Sequence, residues 1–493
     1  MKRGSGILMH ISSLPGPYGI GTLGKNAYQF VDFLEKSGQS YWQILPLGPT
    51  TYGDSPYQSF STFAGNPYFI DFDLLIDEGI LSKNDCTFFP WDENSEFINY
   101  SLQFNNRFKV LRIAYQQDKD NHKHEIINFR NQNAYWIEDY ALYMALKYEN
   151  DMKSYQLWEP SLKTKEPEAI AKACIRLQDE IDFWVYIQFL FFKQWNALKK
   201  YANQKGIQII GDLPIYVAED SADAWACHEI LQLDENRTPI AVAGCPPDYF
   251  AEKGQLWGNP LYDWKKLKET GYRWWIQRIR AALSMVDILR IDHFRAFDSY
   301  YAIPYGRKDA VIGKWEPGPG KDFFDTLAKS FGRKPNIIAE DLGDLTDSVR
   351  ELLQYTNFPG MKVLQFAFQP GEDNDYLPHN CPHNSVTYIG THDNDTLRGW
   401  METQPEEIAS FVKDYMRLDN TEGYHIGFIK GLMATPSDTI ILTIQDLLYL
   451  GTNARMNTPS TIGCNWQWRL PDIRLLSGTL AETLHKITKT YLR

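Results

Sequence analysis

The chain of 493 residues is 43% hydrophobic, 14% aromatic and 23% charged, a composition that supports a large folded core and excludes disorder, collagen and coiled coil. Its 50 Lys and Arg against 62 Asp and Glu leave a net charge of −12. No basic block is present to track a phosphate backbone or an anionic bilayer, so neither nucleic acid nor a membrane surface is an expected partner. Cysteines at 86, 174, 227, 245, 381 and 464 form no C-x-x-C pair, and a chain this large needs no disulfide staples, so reduced thiols are expected. The GILMHI stretch after Lys2 and Arg3 is too short for a signal peptide, and no run reaches about 18 apolar residues; a soluble cytoplasmic protein is expected.

Eight apolar or β-branched runs stop abruptly at polar clusters, as strands buried on both faces of a parallel sheet do. In chain order they are GILMHI from Gly6, YWQILPL from Tyr41, IQIIGDLP from Ile207, VDILRIDHFR from Val286, NIIAEDLG from Asn336, MKVLQFAF from Met361, SVTYIGTHDND from Ser385 and DTIILTIQDLL from Asp438. Helical patterns separate most of them, among them NAYQFVDFLEKSG after the first and WWIQRIRAALSMV before the fourth. This alternation predicts an α/β fold, a (β/α)8 TIM barrel.

The alternation breaks between Leu47 and Ile207, which predicts a large, mostly helical insertion after strand 2. There YWIEDYALYMALKYE from Tyr135 and DFWVYIQFLFFKQWNALKKYA from Asp182 carry dense apolar faces, while QDKDNHKHE from Gln117 reads as charged and solvated. After the third strand, AGCPPDYFAEKGQLWGNP from Ala243 is too rich in Gly and Pro for regular structure, and long irregular loops are often functional. The expected organisation is barrel strands 1 and 2 in 1–47, an inserted helical subdomain with substrate-binding loops in 48–206, and the remaining barrel in 207–493. An active-site loop is expected at 243–260.

Two motifs invite other functions and fail in context. In YGIGTLG, Gly19, Gly21 and Gly24 fit a dinucleotide fingerprint, but SSLPGP separates them from the strand and YWQILPL ends without an acid to hold a ribose. PHNCPHN offers His379, Cys381 and His383, but the prolines bend it and no fourth ligand is evident, so a surface loop is expected. Serine nucleophile elbows, Walker loops and H-E-x-x-H helices are absent.

What survives is a set of acids at strand ends. Asp292 ends LRID, Glu340 ends IIAE, and Asp393 follows Gly390, Thr391 and His392, all at the catalytic face of a barrel. A single such acid only begins a solvated loop, but three together suit cleavage of an acetal, in which one carboxylate attacks and another protonates the leaving oxygen. The two need different environments, one ionised and one protonated. Arg290, two residues before Asp292, shares its face of the strand and would keep it ionised, which suits a nucleophile. Asp393 would add negative charge near Glu340 and help hold it protonated. Asp212, ending IQIIGD, and His392 would contact sugar hydroxyls, and the 15 Trp, 29 Tyr and 27 Phe supply faces for stacking on sugar C–H patches.

The runs LRIDHFR, AEDLG and GTHDNDT resemble conserved regions of the alpha-amylase superfamily. With YGDSPYQS from Tyr52, GDLPIYVAEDSADAW from Gly211 and PPDYFAEKGQLWGNP from Pro246, the chain closely resembles 4-alpha-glucanotransferases, also called amylomaltases or disproportionating enzymes. The resemblance runs from SLPGPYGIGTLG to NWQWRL. It implies a hexosyltransferase that moves alpha-1,4-glucan segments from a maltooligosaccharide or other donor to the 4-hydroxyl of an acceptor glucose or oligosaccharide, with retention. It further implies Asp292 as nucleophile, Glu340 as general acid/base and Asp393 as transition-state stabiliser. Arg290, Asp212, His392 and Tyr57 would line the reacting subsite, Trp257 would lie over the acceptor side, and Asn465 beside Trp466 would add a sugar contact.

One departure from the wider superfamily is informative. Its D-x-x-x-N-H pattern is replaced here by Asp212, Leu213, Pro214, Ile215, Tyr216 and Val217, which matches the transferases and removes residues associated with the calcium of many amylases. No metal and no cofactor is expected. Nor is a C-terminal β-sandwich, for which the stretch after the eighth run leaves no room. The alternatives are an alpha-1,4-glucan hydrolase, which would release reducing ends without added acceptor, and a non-catalytic glucan-binding barrel, whose signature would be loss of one of the three acids.

Overall fold

Each of the eight apolar runs forms one strand of a single parallel sheet in the computed structural model, which describes residues 2–92, 94–247, 252–343 and 345–493. The strands are β1 (Gly4–Leu8), β2 (Tyr41–Gln43), β3 (Gln208–Leu213), β4 (Ile288–Ile291), β5 (Ile337–Ala339), β6 (Gly360–Val363), β7 (Ser385–Tyr388) and β8 (Thr439–Thr443). Their lateral order is β6-β7-β8-β1-β2-β3-β4-β5, chain order rotated, with β1 beside β8 in the register Gly4↔Thr439. The ring closes where Ala339 N–H meets Pro359 O at 2.9 Å and Met361 N–H meets Asp341 Oδ1 at 2.6 Å. This is a (β/α)8 barrel.

The two-residue period of the strands sorts their side chains. Leu8, Tyr41, Ile210, Ile288, Ile338, Val386 and Ile441 belong to a buried cluster inside the barrel, while Ile7, Trp42, Ile209, Leu289, Ile337 and Ile440 pack into the larger core under the helices. Continuing the inward rows toward the C-terminal ends gives Asp212 after Ile210, Arg290 and Asp292 after Ile288, and Glu340 after Ile338. The polar groups of the strand ends are thus extensions of the interior apolar layers.

Between β2 and β3 the described chain is mostly helical, including Phe108–Asp118, Lys123–Gln132, Ile137–Glu149, Pro167–Arg176 and the 27-residue helix Gln178–Gln204. That last helix packs on Ile137–Glu149 on one side and on the barrel helix Lys25–Lys36 on another. It also clamps the chain leaving β2. Gln188 accepts from Gly65 N–H at 2.8 Å and donates to Gly65 O at 2.8 Å, and Gln194 pairs with the backbone of Asp71 in the same way, at 2.7 and 3.0 Å. One correction concerns the charged stretch from Gln117: Asp118 is buried, accepting from Tyr186 Oη at 3.0 Å and paired with His122 Nδ1 at 2.6 Å, because the turn between two helices folds it against the long one. No described helix is long and apolar enough to cross a membrane.

The segment expected to be irregular after β3 is strand at both of its ends. Ala241–Cys245 and Gln255–Pro260 pair antiparallel, and Ser299–Pro304 and Lys314–Pro317, from the chain after β4, complete a four-stranded sheet. Its glycine serves close approach rather than disorder: a Cβ on Gly244 would lie 2.2 Å from Gln255 O. Strand partners from a distant stretch of chain overrode the local composition. Residues 248–251 of the expected 243–260 loop lie outside the described residues.

Replacing Gln188 by Leu keeps the bulk but strands a buried N–H and C=O of Gly65. The expected loss of stability is about 2 kcal/mol or more, read as a lower midpoint of thermal or urea denaturation. An unchanged midpoint would show that the clamp contributes nothing.

Candidate active site

The floor of the site is Arg290. Its inward position on β4 buries the guanidinium, with only 4% of the side chain exposed, between two acids: Nη1 reaches Asp212 Oδ2 at 2.6 Å and Nη2 reaches Asp292 Oδ1 at 2.9 Å. Nε lies 3.2 Å from Met361 Sδ. The Asp212 side chain is fully buried, whereas that of Asp292 keeps 31% of its surface open. A planar fork bridging two carboxylates uses the geometry that distinguishes Arg from Lys, and it spends Asp292 Oδ1 on the cation. No hydrogen bond engages Oδ2 among the described residues.

Glu340 stands one strand over, and the backbone between the strands shapes it. Glu340 N–H donates to Ile291 O at 3.0 Å and Phe294 N–H to Glu340 O at 3.0 Å. His293 adopts a left-handed conformation, φ 51°, a region His tolerates better than most residues, and its N–H donates to Glu340 Oε2 at 2.7 Å. Leu342 N–H donates to Oε1 at 2.8 Å.

Burial and then the negative charge of Asp292 push the Glu340 carboxyl up to about 8, against the opposing pull of Arg290 and the two backbone donors. Burial also pushes Asp292 up, to about 6, with Arg290 opposing. The two acids are therefore set apart, Glu340 the better proton holder. Two expectations change. The charge that raises Glu340 is that of Asp292, where the pattern of strand ends suggested Asp393, and Arg290 limits a rise in Asp292 rather than lowering it outright.

Asp393 follows β7 and is held from the chain after β8. Asn457 Nδ2 donates to Asp393 Oδ1 at 2.7 Å, Arg455 Nη2 to Asp393 O at 2.7 Å, and Asn457 N–H to His392 O at 3.1 Å. His392 Nε2 lies 2.9 Å from Tyr57 Oη and 3.4 Å from Asp393 Oδ2, and Tyr57 Oη donates to Asp212 Oδ2 at 2.7 Å. Tyr57 stacks on His392, ring centroids 5.2 Å apart, and Trp466 tilts against both at 5.7 and 5.9 Å. A connected set thus runs from Asp292 through Arg290, Asp212, Tyr57 and His392 to Asp393.

Trp257, on the strand Gln255–Pro260, meets His293 edge to face at 4.8 Å, beside the turn that carries Asp292. Two residues on, Asn259 joins this wall to the Tyr57 wall: Gln58 Nε2 donates to Asn259 Oδ1 at 3.0 Å, and Asn259 Nδ2 donates to Gln58 Oε1 at 3.4 Å and to Val217 O at 2.8 Å. Asn465 stands apart from the connected set. Its Oδ1 accepts from Thr458 N–H at 3.0 Å and its Nδ2 donates to Thr461 O at 3.1 Å, so the side chain closes a loop while its neighbour Trp466 meets the site. Sequence reasoning missed Asn457, Arg455, Gln58 and Asn259. Gln58 and Asn259 lie within YGDSPYQS and PPDYFAEKGQLWGNP but are uncharged amides that no chemistry singled out, and Arg455 and Asn457 are loop residues outside every motif.

The discarded motifs have structural explanations. A Cβ on Gly21 would lie 1.9 Å from Ile11 O and one on Gly24 2.0 Å from Asp71 Oδ2, so these glycines answer chain crossings. In PHNCPHN, His379 Nδ1 pairs with Tyr415 Oη at 2.6 Å while Cys381 is buried, which corrects the expectation of a surface loop for that residue. Among the described residues no group of three or more His, Cys, Asp or Glu is placed to hold a metal ion.

A barrel with acids converging at the C-terminal strand ends, one carboxyl raised beside another paired to Arg, defines an enzyme of acetal chemistry on carbohydrates. The sequence profile of the 4-alpha-glucanotransferases matches residues 9–475. The 4-alpha-glucanotransferase of Clostridium butyricum is 49% identical over 487 residues, covering 98% of this chain and 100% of its own. That of Synechocystis is 45% identical over 499 residues, covering 100% and 98%. The amylomaltase of Streptococcus agalactiae, solved in complex with acarbose, is 42% identical with a TM-score of 0.97 and covers 100% of both chains. The chain belongs to the 4-alpha-glucanotransferase family, and the protein is a transferase of glucan segments.

Arg290→Lys replaces a fork bridging two acids by a point charge that reaches one at a time. Losing a charged hydrogen bond of about 1.5–3 kcal/mol is expected to lower kcat roughly 10- to 100-fold, measured as transfer between maltooligosaccharides. A variant with full activity would remove the bridge as the organising contact.

Proposed function

We propose that Asp292, Glu340 and Asp393 carry out a retaining double displacement on alpha-1,4-glucans. In the first half, Asp292 Oδ2 attacks the anomeric carbon as the bond to the leaving O4 breaks, and the Glu340 proton passes to that oxygen. This leaves a glycosyl ester on Asp292, an ionised Glu340 and a free sugar. In the second half, Glu340 takes the proton from the acceptor 4-hydroxyl as its oxygen attacks the same carbon and the ester bond breaks. Asp393, held by Asn457 and Arg455, grips ring hydroxyls of the reacting glucose, with Tyr57, Asp212, Arg290 and His392 lining that subsite. Trp257 forms the acceptor wall, and Asn465 supports the Trp466 loop. Excluding water while a sugar enters favours transfer over hydrolysis.

The observation that carries this reading is the unequal bias of the two central acids: burial beside Asp292 pushes Glu340 up to about 8, while Arg290, in contact with Asp292, limits the rise there to about 6. The donor is a maltooligosaccharide or related alpha-1,4-glucan and the acceptor glucose or an oligosaccharide; the similar Streptococcus agalactiae amylomaltase was solved with acarbose. Residues 48–206 act as an inserted helical subdomain on a barrel made of 1–47 and 207–493. The enzyme works in the cytoplasm, in keeping with the free thiols of Cys86, Cys174, Cys227, Cys381 and Cys464.

Two measurements test the reading. Activity requires Asp292 ionised and Glu340 protonated, so kcat/KM should rise with pH through about 6 and fall through about 8, the two limbs belonging to the pair. A profile flat across this range would contradict the assignment. Maltotriose alone should yield glucose and a ladder of longer oligosaccharides with total reducing ends constant. Shorter sugars only, with climbing reducing ends, would indicate hydrolysis.

A further inference from the structure

We infer that a cavity behind His392 is a binding site for one water molecule, held jointly by His10, His392 and Gln445, and that Gln445 is a positioning residue acting through that water. The tautomer of His392 is set by Tyr57. Its hydroxyl has one hydrogen, directed at Asp212 Oδ2 at 2.7 Å, an oxygen that also receives Arg290 Nη1 at 2.6 Å and so serves as acceptor. The Tyr57 oxygen must therefore accept from His392 Nε2, 2.9 Å away. The next neighbour of Nε2, Asp393 Oδ2 at 3.4 Å, is likewise an acceptor. His392 thus carries a hydrogen on Nε2, and in that tautomer Nδ1 is an acceptor.

Among the described residues, buried His392 Nδ1 has no hydrogen-bond partner, and the same holds for Gln445 Oε1. The Gln445 amide is oriented by its other end, Nε2 donating to Ala454 O at 3.2 Å, so Oε1 is the atom left over. His10 Nδ1 accepts from Leu45 N–H at 3.3 Å, which puts the His10 hydrogen on Nε2. All three side chains line one cavity of about 20 Å³ and are at least nine-tenths buried, with 3%, 5% and 7% exposed for His10, His392 and Gln445.

Size and polarity select the ligand. One water needs about 10–15 Å³ of such space and typically makes about three hydrogen bonds. Two acceptors and one donor complement a water that donates to His392 Nδ1 and Gln445 Oε1 and accepts from His10 Nε2–H. A cation would meet the N–H of His10, and an apolar filler would leave two buried acceptors unpaired, at about 1–3 kcal/mol each. The water gives the back of the His392 ring a fixed partner, so that its front edge keeps donating to Tyr57, and Tyr57 to the acid bridged by Arg290.

The site is tested first by a crystal structure of the full chain at about 1.5 Å resolution. The expected result is one water within about 3.2 Å of all three atoms; an empty or collapsed cavity would overturn the proposal. This arm is independent of the catalytic roles proposed above, whereas the kinetic arm rests on them. Gln445→Met, which keeps shape but removes the acceptor, should lose the water and lower kcat for maltotriose about tenfold with KM within about twofold. It should also shift the ¹⁵N signals of the His392 ring, assigned by their absence in His392→Asn. Gln445→Glu, which retains an acceptor, should keep the water and hold kcat within about threefold of the parent. Unchanged kcat and ring signals in Gln445→Met would remove Gln445 as a positioning residue. If that variant fails to fold, the parent crystal structure and Gln445→Glu decide the matter.

Discussion

A guanidinium buried between two carboxylates governs the arrangement of everything around it. Arg290 sits where β4 leaves the apolar interior, and removing its charge from water is expensive unless both neighbouring acids stay in contact. That requirement fixes Asp212 on β3 and Asp292 after β4 relative to each other. It also places a negative group beside Glu340, whose carboxyl then holds its proton more tightly. The difference between the two acids arises from one cation touching one of them directly at 2.9 Å, while the hydrogen bonds to the other's carboxylate come, among the described residues, from the backbone N–H groups of His293 and Leu342.

The walls of the cleft depend on bonds between loops that are far apart in sequence. Asp393 leaves β7 but is gripped by Asn457 and Arg455 after β8. The Tyr57 loop leaves β2 but is tied through Gln58 to Asn259 on the second sheet. The wall that carries Trp257 is therefore already joined to the one that carries Tyr57. Such pre-set geometry favours transfer, because an acceptor positioned in advance competes better with water for the glycosyl-enzyme.

The insertion after β2 supports this from outside. Its last helix doubles as a barrel helix, and the Gln188 and Gln194 side chains bind the backbone on the way from β2 to the insertion. On the other side, Lys147 of helix Ile137–Glu149 pairs with Asp220 at 2.6 Å, in the loop that follows β3 and Asp212. Helical mass added to the barrel thus steadies the two strand ends that carry Tyr57 and Asp212.

Much of this was legible in the order of residues. Eight apolar runs mark the eight strands because parallel barrel strands are buried on both faces, and the two-residue period carries Ile288 into Arg290 and Asp292 and Ile338 into Glu340 on the same inner row. Other features were not legible, since they depend on partners distant in the chain. The stretch around Gly244 and Trp257 looks irregular by composition, yet Ala241–Cys245 becomes a strand between Ser299–Pro304 and the Gln255–Pro260 strand that carries Trp257. Asp118 looks solvated and is buried by a helix some 60 residues on. The sequence by itself determined which acids reach the mouth of the barrel, because strand periodicity is local. Only the tertiary structure decided which acid holds the proton and which is held by Arg290, because burial and charge depend on what other strands and loops bring within a few ångströms.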